Sequence, residues 1–235
     1  MTVEDIEKLK EETSDLRQIY EKTTPIKSDG SFNMDEVKRV TLEMIDYIFT
    51  DSDQGDLLKH WMDTHEFWVS PASTKFHGNI KGGLAAHSLL VAYQAIFYSV
   101  AFAENFMQSK NSALYTYTAS DVFIAGLCHD FCKAGSYSTE YRKTKDYSGN
   151  SVYSSFYKTK SGSRNLGHGN ESVLQVLEIM PELIHKRYLI EAISRHMGFS
   201  DLSEMEKINY SVFLQNPLVL LLQMADQTAA SWWDV

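Results

Sequence analysis

Segments with apolar residues at helical spacing make up most of this chain, and they constrain its fold more than any other feature. Ile6, Leu9 and Leu16 lie on one face of an otherwise charged segment, and Val37 and Val40 begin a second stripe of the same kind. The 235 residues contain only 4 prolines and 12 glycines, which fall mainly between these periodic segments. The sequence therefore predicts an all-α fold.

Local signals predict where several of the helices begin and end. A long helix is expected to start after Gly82-Gly83 and to run to about Gln108, and Ser120 is expected to cap the next one. Further helices are predicted at about 55–67, 170–180, 181–197 and 216–232.

The segment from Tyr137 to Asn165 differs from the rest of the chain. It is rich in Tyr, Ser, Lys and Gly, and its side chains alternate on both sides of Gly149. This pattern predicts an irregular insertion near 137–165 that contains a β-hairpin.

Charge is distributed unevenly along the chain. The net charge of −9 argues against general electrostatic binding of duplex DNA. The segment between Phe131 and Gly169, however, contains seven cationic and two acidic residues, a net charge of +5. The rest of the chain therefore carries a net charge of −14. Such a local basic segment indicates a site for a small anion, although a solvated loop has the same composition.

Features of secreted or membrane proteins are not visible in the sequence. The N-terminal residues lack the basic and apolar regions of a secretory signal, and no run approaches the ~18 apolar residues that a membrane span needs. Cys128 and Cys132 are too few to form a disulfide framework for a fold of this size. The chain is therefore expected to be cytoplasmic, with no membrane partner.

Histidines and carboxylates with the chemistry of metal ligands are spread along the predicted helices. Asp226 lies in an apolar helix, where an unpaired carboxylate would be costly without a compensating cation or hydrogen bonds. Imidazoles and carboxylates suit a divalent transition metal such as Mn, Fe, Ni, Co or Zn. In chain order, the candidate ligands are His87, His129, Asp130, His168, His196 and Asp226.

This ordered set resembles the HD-domain superfamily of metal-dependent phosphohydrolases, whose hallmark is His…His-Asp…Asp on an all-helical bundle. His87 matches the first histidine, His129-Asp130 matches the doublet, and Asp226 matches the terminal aspartate. The resemblance implies an HD-domain helical bundle that holds at least one metal ion.

Further matches extend the resemblance to members that hold two ions. His168 and His196 match the two extra histidines of those members, in which the doublet aspartate, here Asp130, bridges the metals. Lys133 matches a lysine that contacts the substrate phosphate, and Cys132 stands where a glycine is common. The resemblance therefore implies one or two ions and assigns catalytic roles to Asp130 and Lys133.

A closer likeness concerns the entry to this domain. Pro71-Ala72, His77 and the glycine pair before His87 resemble bacterial 3′→5′ exoribonucleases that carry an OB-fold ahead of their HD domain. The likeness runs from about residue 40 to residue 232, which predicts a helical extension over 1–39 and an HD domain over 40–235. The first 40 residues leave no room for an OB-fold, the usual platform for single-stranded RNA.

The implied activity is hydrolysis of a phosphoester in a nucleotide or short nucleic acid, by water that a metal ion activates. Tyr137 or Tyr157 is a candidate to stack on a base. The candidate substrate contacts are His77, Lys133, Arg142, Lys143 and Arg164.

Two other functions agree with the same residues. A minority of the superfamily uses a similar ligand set to hold two irons and cleaves its substrate with oxygen. A metal-stabilised module that binds a nucleotide without hydrolysing it is the second alternative. The sequence is also compatible with a homo-oligomer.

Overall fold

The computed structural model describes residues 1–50, 52–145, 147–162 and 166–235. Within these ranges the chain is mostly helical, with one two-stranded sheet, which confirms the predicted all-α fold with a hairpin insertion. The elements are α1 (Val3–Glu21), α2 (Met34–Ile48), α3 (Gln54–Thr64), α4 (Gly83–Met107), α5 (Ala119–Cys128), β1 (Tyr137–Lys145), β2 (Ser151–Thr159), α6 (His168–Ile179), α7 (Arg187–Arg195), α8 (Glu204–Ile208), α9 (Tyr210–Phe213) and α10 (Pro217–Trp232). Short 3₁₀ turns lie at Phe131–Lys133, Pro181–His185 and Gly198–Asp201.

Helix α4 forms the centre of the bundle. Its first half is buried nearly all round, and α1, α5 and α10 pack against it. Contrary to the expectation that no segment is apolar enough to span a membrane, α4 is long and apolar enough to do so by length and composition, yet 72% of its most apolar window is buried inside the protein. That burial is typical of the core helix of a soluble protein.

The N-terminal helix shares this core. Leu9 and Leu16 of α1 are fully enclosed, and Tyr20 stacks on Tyr93 of α4 with ring centroids 3.9 Å apart. Thr2 caps α1 through a reciprocal capping box with Asp5. The apolar face predicted for this segment is therefore buried against the rest of the chain. The predicted domain boundary between residues 39 and 40 stays a prediction.

The long helix predicted after Gly82-Gly83 is confirmed and begins at Gly83, but the predicted cap of α5 is at the wrong residue. Thr118, rather than Ser120, caps this helix, and its hydroxyl accepts a hydrogen bond from the amide of Asp121. The Asp121 carboxylate accepts one from the amide of Thr118 in return, which completes a capping box. Asp121 is buried and also pairs with Lys186, at 2.6 Å, so this cap ties α5 to the start of α7.

The helix predicted over 181–197 is divided in the structure. A 3₁₀ turn at Pro181–His185 precedes α7, because Lys186 has a non-helical backbone with φ −91° and ψ 67°. The short helices α8 and α9 were not predicted, since neither is long enough to show an apolar period. A capping box between Ser203 and Glu206 starts α8.

The hairpin is more regular than the sequence indicated. β1 and β2 pair antiparallel without a bulge, from Tyr137 opposite Thr159 to Lys145 opposite Ser151. The base is joined to the preceding turn by a hydrogen bond from the Lys160 amide to the carbonyl of Ser136. Beyond this base most of the strand residues are exposed.

Candidate metal centre

Five of the six predicted ligands converge at the centre of the bundle. Their ligand atoms form two groups, each within 4.8 Å, that share the imidazole of His129. One group joins His129 to His87 and Asp226, and the other joins it to Asp130 and His196. All five side chains are buried, although their positions span 140 residues of the chain.

Two glycines allow the helices that carry these ligands to meet. Gly82 precedes α4 with φ +80°, a left-handed conformation that glycine adopts without strain, so the helix begins one turn before His87. On α5, a Cβ at Gly126 would lie 2.5 Å from the Cα of Ala92. The absence of that Cβ lets α5 approach α4 closely enough to place His129 beside His87.

Backbone carbonyls orient all three imidazoles. Each Nδ1 lies within hydrogen-bond distance of a carbonyl oxygen, and since a carbonyl only accepts, each Nδ1 carries the proton. Each Nε2 therefore presents a lone pair to the centre of the cluster, as in metal sites whose histidines are held by an outer hydrogen bond. The pairs are His87 with Val235 at 2.7 Å, His129 with Gly126 at 2.8 Å, and His196 with Ile193 at 2.7 Å.

Three distances between the ligand atoms fit coordination of one ion by the first group together with Asp130, whereas the distances from His87 to Asp130, 3.8 Å, and from His129 to Asp226, 3.9 Å, are longer. Atoms bound about 2.1 Å from one ion lie about 3.0 to 3.5 Å apart at tetrahedral or octahedral angles. The Nε2 atoms of His87 and His129 are 3.2 Å apart, and that of His87 lies 3.2 Å from Oδ1 of Asp226. Nε2 of His129 lies 3.3 Å from Oδ2 of Asp130. Two facing imidazole lone pairs at 3.2 Å repel each other unless a cation or a proton lies between them.

The charges of the cluster also favour a cation. Burial would raise the pKa of the Asp130 carboxyl, but the ammonium of Lys133 holds it well below its usual range. Burial opposes the charge of Lys133, yet Asp130 at 2.5 Å raises the pKa of its ammonium. With neutral imidazoles, two buried carboxylates face one ammonium, so a divalent ion offsets the excess negative charge.

A second set of atoms lies on the other side of Asp130. Oδ1 of Asp130 and Nε2 of His196 are 3.5 Å apart, and neither atom has a hydrogen-bond partner among the described residues. Buried polar atoms in this condition are rare, and an ion is one way to satisfy them. Oδ2 of Asp130 thus faces His129 and Oδ1 faces His196, an arrangement typical of a carboxylate that bridges two ions.

His168 is not brought into either group. It begins α6, is partly exposed, and its Nδ1 lies 3.7 Å from Oδ1 of Asp201. The structure therefore assembles His196 but not His168 for the predicted second ion, and the role of His168 as a ligand stays a prediction. Asp201 had no signal in the sequence, because it lies in a short 3₁₀ turn with no recognisable motif.

A cavity of about 470 Å³ opens beside the cluster. Lys133 and His77 connect the two, because Lys133 contacts Asp130 and the ring centroid of His77 lies 4.9 Å from that of His87. Burial, followed by the nearby His87 and Lys133, lowers the pKa of His77 to about 4, so its ring is neutral at pH 7. The lining also includes Phe76, Tyr137, Thr159, His168 and Met197.

The predicted substrate contacts separate into two sets. His77, Lys133 and Tyr137 line the cavity, as expected for residues that touch a substrate. Arg142 and Lys143 do not line it, because they lie on the exposed outer half of β1. Arg164 lies outside the described residues.

Several residues of the site could not have been found in the sequence. The carbonyl that holds His87 belongs to Val235, 148 positions away, and backbone oxygens leave no compositional signal. Thr159 and Met197 line the cavity through tertiary packing alone. Cys128 and Cys132 are buried, and neither joins a group of candidate metal ligands among the described residues.

No family model, curated protein or solved structure matches this chain.

Proposed function

We propose that this protein is a metal-dependent phosphohydrolase of the HD type that acts on a nucleotide or a short nucleic-acid phosphoester. One observation carries the proposal: three imidazoles and two carboxylates converge beside a buried lysine, and that lysine also lines an adjoining cavity. Imidazole and carboxylate atoms suit a transition metal, and the lysine suits a phosphate.

His87, His129, Asp130 and Asp226 would hold the first ion, and Asp130 and His196 offer atoms to a second. A divalent ion bound there supplies a water activated near neutral pH and neutralises charge on the phosphoryl oxygens. The hydrogen bonds from each Nδ1 to a carbonyl keep the three imidazoles in the tautomer that such a site requires.

Lys133 is positioned to bind the phosphate. Its ammonium remains charged because Asp130 raises its pKa, and the residue is only 8% exposed, at the lining of the cavity. A compact cation in a site shielded from water attracts phosphoryl oxygens more strongly than a solvated one. The neutral ring of His77 beside it can donate or accept one hydrogen bond without adding charge.

The test is a manganese-supplemented hydrolysis screen over nucleotides, cyclic dinucleotides and short RNA. We expect turnover of at least one class, and its loss in Asp130→Ala and Lys133→Met. The matched control is Lys186→Met, which breaks another pair between a buried aspartate and a lysine, at Asp121. If Lys186→Met loses as much activity as Lys133→Met, general destabilisation explains both.

Three results would contradict the proposal. Full activity in Asp130→Ala would remove Asp130 from the mechanism. A coloured iron-loaded protein that consumes oxygen and hydrolyses nothing would favour a di-iron oxygenase. Tight nucleotide binding with no turnover at full metal loading would favour a binding module.

A further inference from the structure

The two faces of the β-hairpin differ in chemistry. Side chains alternate between faces along each strand, and the register places opposite partners on the same face. One face, called the tyrosine face below, carries only tyrosines, lysines and small hydroxyl residues. Its members are Tyr137, Thr139, Tyr141, Lys143, Lys145, Ser151, Tyr153, Ser155, Tyr157 and Thr159.

On the opposite face one carboxylate pairs with both cations, which leaves a net charge of +1 there. Glu140 pairs with Arg142 at 3.0 Å and with Lys158 at 2.8 Å, and the Arg142 guanidinium lies over the ring of Phe156. On the tyrosine face no carboxylate occurs among the described residues, so the charges of Lys143 and Lys145 are not cancelled there. The two faces therefore offer different surfaces to a polyanion.

The tyrosine face continues into the cavity beside the metal cluster. Tyr137 and Thr159, at the base of the hairpin, line that cavity. Further out, Tyr157 is half-buried, and Tyr141 and Tyr153 are 73% and 77% exposed. Residues on one face of a strand repeat about every 7 Å, so this surface extends about 26 Å from Tyr137 to the end of β1.

Packing within the hairpin does not account for the exposure of these tyrosine rings. An isolated two-stranded ribbon is marginally stable, and exposed aromatic residues in a row mark an interaction surface. Aromatic rings interleaved with cations are the combination that binds single-stranded nucleic acid, because bases stack on the rings and phosphates pair with the cations.

We propose that the tyrosine face binds a single-stranded oligonucleotide and leads one of its ends into the metal cavity. The binding site stands on the hairpin itself, while the delivery of an end for hydrolysis rests on the proposed function. The remainder of the chain is strongly acidic and repels a long polyanion, so contact is confined to the hairpin and the cavity. An acidic peptide would pair with the lysines but would leave the tyrosine rings unstacked.

The test measures binding without hydrolysis. Fluorescence anisotropy of labelled RNA and DNA single strands of about 12 nucleotides is followed in EDTA. We expect Tyr141→Ala/Tyr153→Ala to weaken binding by at least about tenfold, because each stacked base contributes substantially. The matched control, Val152→Ala/Phe156→Ala, removes two apolar side chains from the opposite face and is expected to leave binding unchanged. Circular dichroism of both variants confirms that the fold is intact.

The outcomes separate this inference from the proposed function. Equal weakening by the two double variants, no binding by the parent protein, or equal displacement of the probe by polyglutamate or by duplex would overturn the inference. Hydrolysis of small phosphodiesters without oligonucleotide binding would overturn only the inference. Oligonucleotide binding that depends on the tyrosine face, without hydrolysis of any substrate, would support the inference while the proposed function fails.

Discussion

The metal cluster and the hairpin are built on opposite principles. In the cluster, every candidate ligand is buried, and each imidazole is oriented by a backbone carbonyl. In the hairpin, neither face is covered, and only the base, near Tyr137, is packed against the bundle. The candidate ligands, which need a fixed geometry, lie where the helices cross. The surface that can accept varied ligands lies on the exposed hairpin.

This difference leads to distinct sensitivities. A change in the cluster alters charge balance and packing together, since buried carboxylates remain without partners when one ligand is lost. A change on the hairpin alters only what the surface can bind, because little apolar area is buried there. Variants in each region test whether a change in the metal cluster or in the hairpin leaves the other region unaffected.

The largest effect is expected for His129→Ala, because this imidazole belongs to both groups of candidate ligands. Loss of a partner outside the coordination sphere already costs about 10–100-fold in metal affinity, so loss of this ligand is expected to exceed about 100-fold. Elemental analysis of the purified protein should find no bound transition metal, and hydrolysis should disappear with it.

His168→Ala is the comparison for that variant. Because His168 lies outside both groups, the variant is expected to keep at least one ion per chain. Complete loss of metal in His168→Ala would show that the ligand set is larger than the five converging side chains. Retention of the full metal content in His129→Ala would contradict the arrangement proposed for the cluster.

Removal of the metal is expected to lower the free energy of unfolding by a measurable amount. An ion present at 1,000 times its Kd contributes about 4 kcal/mol to the free energy of unfolding, which for a chain of this size is a Tm shift of about 8–16 °C. Differential scanning calorimetry with and without a chelator measures it. The same chelator should leave the Tm of His129→Ala unchanged, and a shift in that variant would place the stabilising ion elsewhere.

The helical fold and the need for a compensating group at Asp226 were accessible from the sequence for a physical reason, whereas the convergence of the ligands was an expectation from the resemblance. Apolar spacing indicates which helix faces are buried, and a carboxylate such as Asp226 inside an apolar helix needs a compensating group nearby. The glycine pair before His87 indicated the start of α4 within one residue. These signals are local, so one sequence is enough to read them.

Contacts between distant segments were not accessible. Whether His168 or His196 reaches Asp130 depends on how α6 and α7 pack, and the sequence treated the two histidines alike. Ser120 is of a residue type that caps helices, but the reciprocal hydrogen bonds between Thr118 and Asp121 begin α5 at Ala119. Hairpin register likewise decides which cations share a face with the tyrosines.

A third prediction compares one glycine in each region. Gly126→Ala would place a methyl group against the backbone of Ala92, which cannot move aside cheaply, and is expected to cost about 1–3 kcal/mol and to weaken metal binding. Gly149→Ala, in the turn of the hairpin, meets no atom within 4 Å and only strains a backbone with φ +82°. It is expected to cost about 1 kcal/mol locally and to leave the metal content unchanged. Equal metal loss in both variants would show that the regions are coupled.

The smallest expected effect distinguishes two adjacent cations of β1. Lys143 lies on the tyrosine face, whereas Arg142 lies on the opposite face, paired with Glu140. If the tyrosine face binds a single strand, Lys143→Ala lowers affinity a few-fold and reduces the slope of log Kd against log salt by about 0.7, the share of one phosphate contact. Arg142→Ala should change neither quantity. Anisotropy titrations at several salt concentrations measure both slopes. An equal decrease of affinity and slope in the two variants would mean that the hairpin attracts nucleic acid by its net charge and that its faces are not distinct.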